Sequence, residues 1–336
     1  MAATNIEVWQ FGTVVEVQKV ATDIQRVVLA PSLPRKAEPG SHIDVMVTID
    51  GHQDKRSYSI VESNDDGTRL VISVLKAPLT RGGSLFIHGL RAGDTLEITQ
   101  PVQNFPLRIG AGKYILLAGG IGITAMINMA RVLRNLGSDY TLVYAGRSRV
   151  AMAYLEELQA LHGSNMVVHI DDEGSPLDVG DLVDGATEDT ELYMCGPIRL
   201  MDAVRRAWTE RELSYPNLRY ETFGNSGWYD PEEFIVKVPA LGLEVPVGPG
   251  RSMLEALEDA GADMMFDCRK GECGLCEVRI LKLDGAIDHR DVFYSARQKK
   301  ATEKMACCVS RAVTSKTGLA AEASERGPAV VTIEVS

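Results

Sequence analysis

Val- and Ile-rich stretches along the first hundred residues alternate with polar positions and break at Pro39-Gly40, Asp50-Gly51, Asn64-Asp65-Asp66-Gly67 and Ala92-Gly93-Asp94. This two-residue period between turn signals predicts strands at 14–20, 25–30, 42–48, 55–61, 70–76 and 95–99, with one helix starting near Gly83-Ser84. Many short strands so spaced predict a β-barrel or sandwich, and an antiparallel β-barrel is the expectation for residues 1–109. The rhythm changes at Gly110. A continuous apolar run at 113–118 reads as a buried parallel strand, and a helical pattern at 124–136 closes at Gly137. Strands at 140–145, 166–170 and 191–195 alternate with helices at 151–161 and 198–212, which predicts an α/β parallel-sheet domain over 110–225. Residues 226–233 read as a linker. Beyond it, 234–238 and 243–247 read as a hairpin, Ser252 and Glu255 as the capping box of a short helix, and 329–334 as a final strand. An α+β domain is expected over 234–336, with 314–328 as a loop.

The cysteines change this picture from architecture to chemistry. Cys195 stands alone, whereas Cys268, Cys273, Cys276, Cys307 and Cys308 fall in the last quarter of the chain. Cys268-x4-Cys273-x2-Cys276, with a further cysteine some thirty residues on, is the plant-type [2Fe–2S] spacing. Gly271 and Gly274 let the backbone wrap closely and turn its N–H groups toward the sulfurs. A zinc site would more often use paired C-x2-C units. The fourth ligand is Cys307 or Cys308: adjacent side chains of an extended segment point to opposite sides, so only one reaches the cluster easily.

Arg56-Ser57-Tyr58-Ser59 suits a flavin: an aromatic ring to pack on it, hydroxyls for its polar edge and a guanidinium fork for phosphate. Arg81, Gly82, Gly83 and Ser84 would add N–H groups and a hydroxyl at a helix start. Gly119, Gly120, Gly122, Ile123 and Thr124 lie between a predicted strand and helix, where a pyrophosphate would be stabilised. They meet the dinucleotide fingerprint only in part. Cys195, Gly196 and Pro197 end a later strand at the same expected sheet edge. After the second strand of this domain comes Arg147 and no acid, a pattern that leans toward NADPH.

Arg56–Ser59 resembles the R-x-Y-S motif of the ferredoxin reductase superfamily. Cys195-Gly196-Pro197 resembles its C-G-P motif, and Glu221-Thr222-Phe223 its E-x-F segment. Cys308-Val309-Ser310-Arg311, with Asp288-His289-Arg290-Asp291, resembles the ferredoxin domain of the phthalate dioxygenase reductase family. The likeness runs through the whole chain in that family's order of domains; the stretch 314–328 is longer than usual there. It implies Cys308 as the fourth ligand, FMN rather than FAD, NADH as donor, a β-grasp fold for the last domain, and a Rieske-type terminal oxygenase as partner. It places Ser59, Cys195 and Phe223 at the hydride path as candidate catalytic residues, Phe223 covering the flavin. The implied activity passes a hydride from the nicotinamide to flavin and single electrons onward through the cluster. A reductase for a non-Rieske monooxygenase and a non-catalytic redox sensor are the alternatives.

Composition adds exclusions. The chain's 336 residues suit two to three domains, at about 150 residues each. A net charge of −11 argues against nucleic acid as a partner. The longest apolar stretch, 114–130, contains a glycine cluster and Asn128, so no membrane span is expected. Clustered cysteines with no basic-then-apolar leader suggest the reducing cytoplasm.

Overall fold

The computed structural model describes residues 7–49, 51–77, 82–224, 226–314 and 327–335. They fall into two compact units. One comprises the described residues up to Gly196 together with Ala203–Glu221; the other comprises Pro197–Asp202 and the described residues from Thr222 onward.

The first unit opens with strands β1 Trp9–Ala21, β2 Ile24–Pro31, β3 Ser41–Ile49, β4 His52–Ser63 and β5 Leu70–Leu75, then helix α1 Gly83–His88 and strands β6 Thr95–Thr99 and β7 Val102–Gln103. The sheet runs β4-β5-β2-β1-β6-β3-β7, and a β3–β4 pairing closes six strands into an antiparallel barrel. Alternate residues fill it: Val27, Leu29, Val45, Val47, Ile72 and Ile98 are fully buried. β1 is longer than its pattern predicts. Register shifts at Val14/Glu16 and Lys19/Ala21 let it bend and pair with both β2 and β6. Ile87 of α1 is buried in the barrel core.

The same unit continues through β8 Lys113–Gly119, α2 Ile123–Leu136, β9 Tyr140–Gly146, α3 Leu155–His162, β10 Met166–Ile170, α4 Val179–Asp184, β11 Thr190–Cys195, α5 Ile198–Glu210 and β12 Leu218–Glu221. All strands are parallel, in the order β10-β9-β8-β11-β12. From β8 the chain winds first to one side and then returns to the other, so the topological switch point lies between β8 and β11. That is where open α/β sheets bind ligands. α3 starts later than its pattern predicts because Tyr154 adopts a left-handed φ of 63° just before it. Asn128 of α2 donates to the Ile60 carbonyl at 3.1 Å, and the Tyr154 and Ser73 hydroxyls pair, joining sheet and barrel.

The second unit contains β13 Phe234–Val238, β14 Leu243–Val247, α6 Met253–Asp259, β15 Glu277–Asp284, β16 Ala286–Asp288, α7 Ala296–Ala301, β17 Lys304–Ala306, β18 Arg311–Val313 and β19 Ala329–Glu334. A mixed sheet, β14-β13-β19-β15-β17, packs against α6 through Val236, Leu254, Leu257 and Val331. α6 carries the full Ser252/Glu255 capping box. Arg311 is buried and donates to the carbonyls of Arg251, Glu232 and Gly248, its guanidinium 5.0 Å from the Phe234 ring centre. The buried Asp288–Arg290 pair receives the Trp228 amide on Asp288 at 2.9 Å. Most of the predicted 314–328 loop lies outside the described residues.

Candidate redox sites

β8 delivers Gly119 to the switch point. Gly120 follows with φ +55°, and the space beside its missing side chain is open. Ile123 and Thr124 begin α2, whose first turn has neither a side-chain cap nor an acidic residue. The Ile123 N–H closes the preceding turn on the Gly120 carbonyl, so α2 begins directly out of the glycine turn, at the helix end that favours negative charge. Gly122 is held against the end of β11: a Cβ there would lie 2.1 Å from the Cys195 carbonyl oxygen. Only glycine fits this close approach of two loops. Cys195 is buried and lies opposite Glu221 in the β11–β12 register. Glu221, also buried, accepts a hydrogen bond from the Ser59 hydroxyl at 3.3 Å. Gly122, Cys195, Glu221 and Ser59, remote in sequence, are thus brought together. From sequence Glu221 stands out only as the first residue of the segment resembling E-x-F; its hydrogen bond to Ser59 comes from the structure.

Along β4, Ser57 and Ser59 share one face and Arg56 and Tyr58 the other. The Ser57 hydroxyl donates to Asp44, and Tyr58 packs against the barrel core. Hydrogen bonding to Ser57, with His42 and Lys55 nearby, outweighs burial and holds the Asp44 carboxyl below its usual range. Arg56 pairs with Asp54 and lies over Gly83, where a Cβ would meet its side chain at 2.8 Å. Gly82, at φ +88°, turns the chain into α1, and the Ser84 hydroxyl accepts from the Ala77 amide. Arg81 lies outside the described residues. Arg147 is exposed after β9; its neighbour Arg149 makes a two-pronged pair with Glu173.

The cysteine loop of the second unit is built on left-handed turns at Arg269, Gly271 and Gly274. A Cβ on Gly271 would strike Val309 and Asp291, and one on Gly274 would strike the Phe293 ring. The amides of Lys270, Glu272 and Cys273 all donate to Cys268 Sγ, at 3.4, 3.4 and 3.5 Å. Burial pushes the Cys268 thiol up while these N–H groups pull it down. Hydrogen bonds from Cys307 and Cys308 bring the Cys276 thiol down to about 3, and push both donors up. Cys307 also donates to the Cys276 carbonyl at 2.8 Å and is fully buried among apolar side chains. Cys308 is electrostatically coupled to both Cys276 and Cys268. Among the described residues, no three His, Cys, Asp or Glu side chains converge on a single-ion position. An anionic cluster with bridging sulfides suits this loop, because three backbone N–H groups already point at the Cys268 sulfur.

Glu272 lies inside the loop. Burial raises its carboxyl's pKa, and it accepts the Thr222 amide at 2.9 Å. Phe223 follows Thr222, half-buried, and Gly224 packs on Lys270 and Val309. Phe223 belongs to the second unit, and Ser59 and Cys195 to the first. Gly196 and Pro197 fall on either side of the same division.

Comparisons with known proteins agree in both halves. Residues 116–206 match the oxidoreductase NAD-binding domain family, and residues 237–313 the 2Fe-2S iron-sulfur cluster binding domain family. The chain is 36% identical over 311 residues to a tetrachlorobenzoquinone reductase of Sphingobium chlorophenolicum, covering 89% of this chain and 94% of that one. It is 33% identical over 274 residues to the carnitine monooxygenase reductase subunit of Acinetobacter pittii, covering 81% and 88%. Among solved structures, a phthalate dioxygenase reductase, titled as modular for electron transfer from pyridine nucleotides to [2Fe–2S], aligns with a TM-score of 0.70 and 29% identity. It covers 96% of this chain and 98% of that one.

Proposed function

Because this chain belongs to the phthalate dioxygenase reductase family, flavin- and iron–sulfur-dependent oxidoreductases that use a pyridine nucleotide, we propose that it draws electrons from NADH through FMN and delivers them to a Rieske-type terminal oxygenase in the cytoplasm. The observation that carries this reading is the co-occurrence of two built sites: Gly122, Cys195, Glu221 and Ser59 at the switch point, and the amide-lined cysteine loop. When bound, the flavin and the [2Fe–2S] centre supply the chemistry that splits a hydride's electron pair into single electrons.

The chain's own residues orient and hold. In this reading the first turn of α2, with Gly119 and Gly120, receives the nicotinamide cofactor's pyrophosphate, and Gly196 and Pro197 border its nicotinamide. Gly122 lets the chain end of β11 approach closely enough for Cys195 to stand beside the nicotinamide. Glu221 fixes the Ser59 hydroxyl at the flavin's polar edge. Arg56, over Gly83, takes the FMN phosphate, and Tyr58 packs on the ring system. Cys268, Cys273, Cys276 and Cys308 hold the cluster, with Cys307 as core. Residues 1–109, 110–225 and 234–336 are the three functional domains. For location, the structure supplies only that no described helix is long and apolar enough to cross a membrane. The partner class rests on relatives that are reductase subunits of oxygenase systems.

The direct test is an anaerobic visible-absorption titration with NADH, then NADPH. Overlapping flavin and iron–sulfur bands should bleach in stages with NADH. A protein lacking the flavin band, or inert to both nucleotides, would sink the proposal. Arg56→Ala should weaken FMN retention by about 10- to 100-fold, the loss of charge-assisted hydrogen bonds to phosphate. Fluorescence of released FMN after gel filtration measures it, and unchanged retention would move the phosphate site elsewhere.

A further inference from the structure

Several large apolar side chains are exposed around the cysteine loop. Met265 is 62% exposed, Leu275 48%, Phe293 44% and Phe266 40%. Leu275 stands between Gly274 and the proposed ligand Cys276, and it shares a shallow cleft with Asp263, Met264, Met265, Cys276 and Glu277. Phe293 closes over Gly274, and Phe266 lies under the Arg269 guanidinium at 4.0 Å. Contiguous exposed apolar surface of this kind marks an interaction site.

Two cations of this region are paired, Arg269 with Glu258 and Lys304 with Glu277. Asp263 and Asp267 flank Met264–Phe266 on the exposed side, in a chain of net charge −11.

We infer that the patch formed by Met265, Phe266, Leu275 and Phe293, edged by Asp263 and Asp267, is where the electron-accepting protein docks, presenting an apolar centre ringed by basic residues. This rests on the reading of the loop as a [2Fe–2S] site. Electron tunnelling falls steeply with distance, and a partner seated on Leu275 would touch the ligand loop itself. The cluster loses one electron and the acceptor's centre gains one; no proton or bond is exchanged. The rim supplies steering and orientation, and the apolar centre supplies the desolvated contact.

Horse-heart-type cytochrome c, a basic protein, is a suitable probe, with ferricyanide as a small control acceptor. The full-length holoprotein and its Asp263→Lys/Met265→Lys variant would be assayed anaerobically with NADH across a range of salt. The kcat/KM for cytochrome c should fall about tenfold in the variant, with a flatter dependence on ionic strength. Ferricyanide turnover and the rate at which NADH bleaches the cluster should stay within about twofold, as expected when only a docking rim is altered. Unchanged cytochrome c reduction would overturn the assignment. Slower bleaching of the cluster would also overturn it, because the patch would then serve electron entry. Failure of NADH to bleach the unaltered protein would instead strike the functional reading on which the inference rests.

Discussion

Cys308→Ser is expected to strip the protein of its iron–sulfur absorption and its NADH-driven reduction of cytochrome c while leaving flavin content and ferricyanide reduction near normal. The two neighbouring thiols have different surroundings. Cys307 spends its S–H on the Cys276 carbonyl, sits fully buried in the core, and gives its own carbonyl to the Leu254 amide. Cys308 interacts with two thiols of the loop. Serine at 308 replaces a soft thiolate with a poor iron ligand. Serine at 307 keeps a donor for the Cys276 carbonyl, and should cost about 1 kcal/mol of stability with the cluster retained. Iron analysis and the visible spectrum of both variants decide the matter. Loss of the cluster from Cys307→Ser alone would reverse the ligand assignment.

The second large effect concerns Glu221. Glu221→Gln and Ser59→Ala should each lower kcat for NADH–ferricyanide turnover by about 10²-fold, the range for a group that positions or moves a proton. The KM for NADH should change little, since neither residue is placed at the pyrophosphate. The 3.3 Å Ser59–Glu221 hydrogen bond is buried, so the carboxylate holds the hydroxyl in one orientation. Glutamine keeps an acceptor oxygen but loses the charge and adds an N–H that can turn toward Ser59. Stopped-flow hydride transfer with a deuterated nicotinamide would separate this from a folding defect. Wild-type rates in Glu221→Gln would make the contact purely structural.

Much of the barrel and parallel sheet was legible because its strands are strongly patterned. The β8 run Tyr114–Ala118 is buried on both faces, and the buried Ile43, Val45 and Val47 of β3 fall at every second position. The strands between Cys276 and Val313 were not legible. β15 carries Glu277, Arg279, Lys282 and Asp284 on a half-exposed surface, and β16, β17 and β18 are three residues each. Short strands with charged positions have no period to read; long-range pairing with β19 defines the longest of them. α4, six residues capped by Asp178, was missed for the same want of length. The cysteine spacing was legible because its ligands are local. Glu221 was legible only as part of the E-x-F resemblance, because its partners are a register neighbour at 195 and a hydroxyl at 59. The same non-local character explains why Glu272 passed as mere loop filler between ligands.

Arg311 stands three positions after Cys308 and is pinned by backbone carbonyls from 232, 248 and 251, segments that do not belong to the cysteine loop. Its neighbour Ser310 is tied to Asp291, whose backbone packs against Gly271. A centre that changes charge by one electron at each turnover works fastest when its ligands do not have to move. Anchoring the segment that carries Cys308 to distant backbone as well as to the loop stiffens it from both sides, so that little nuclear rearrangement is expected to accompany each transfer.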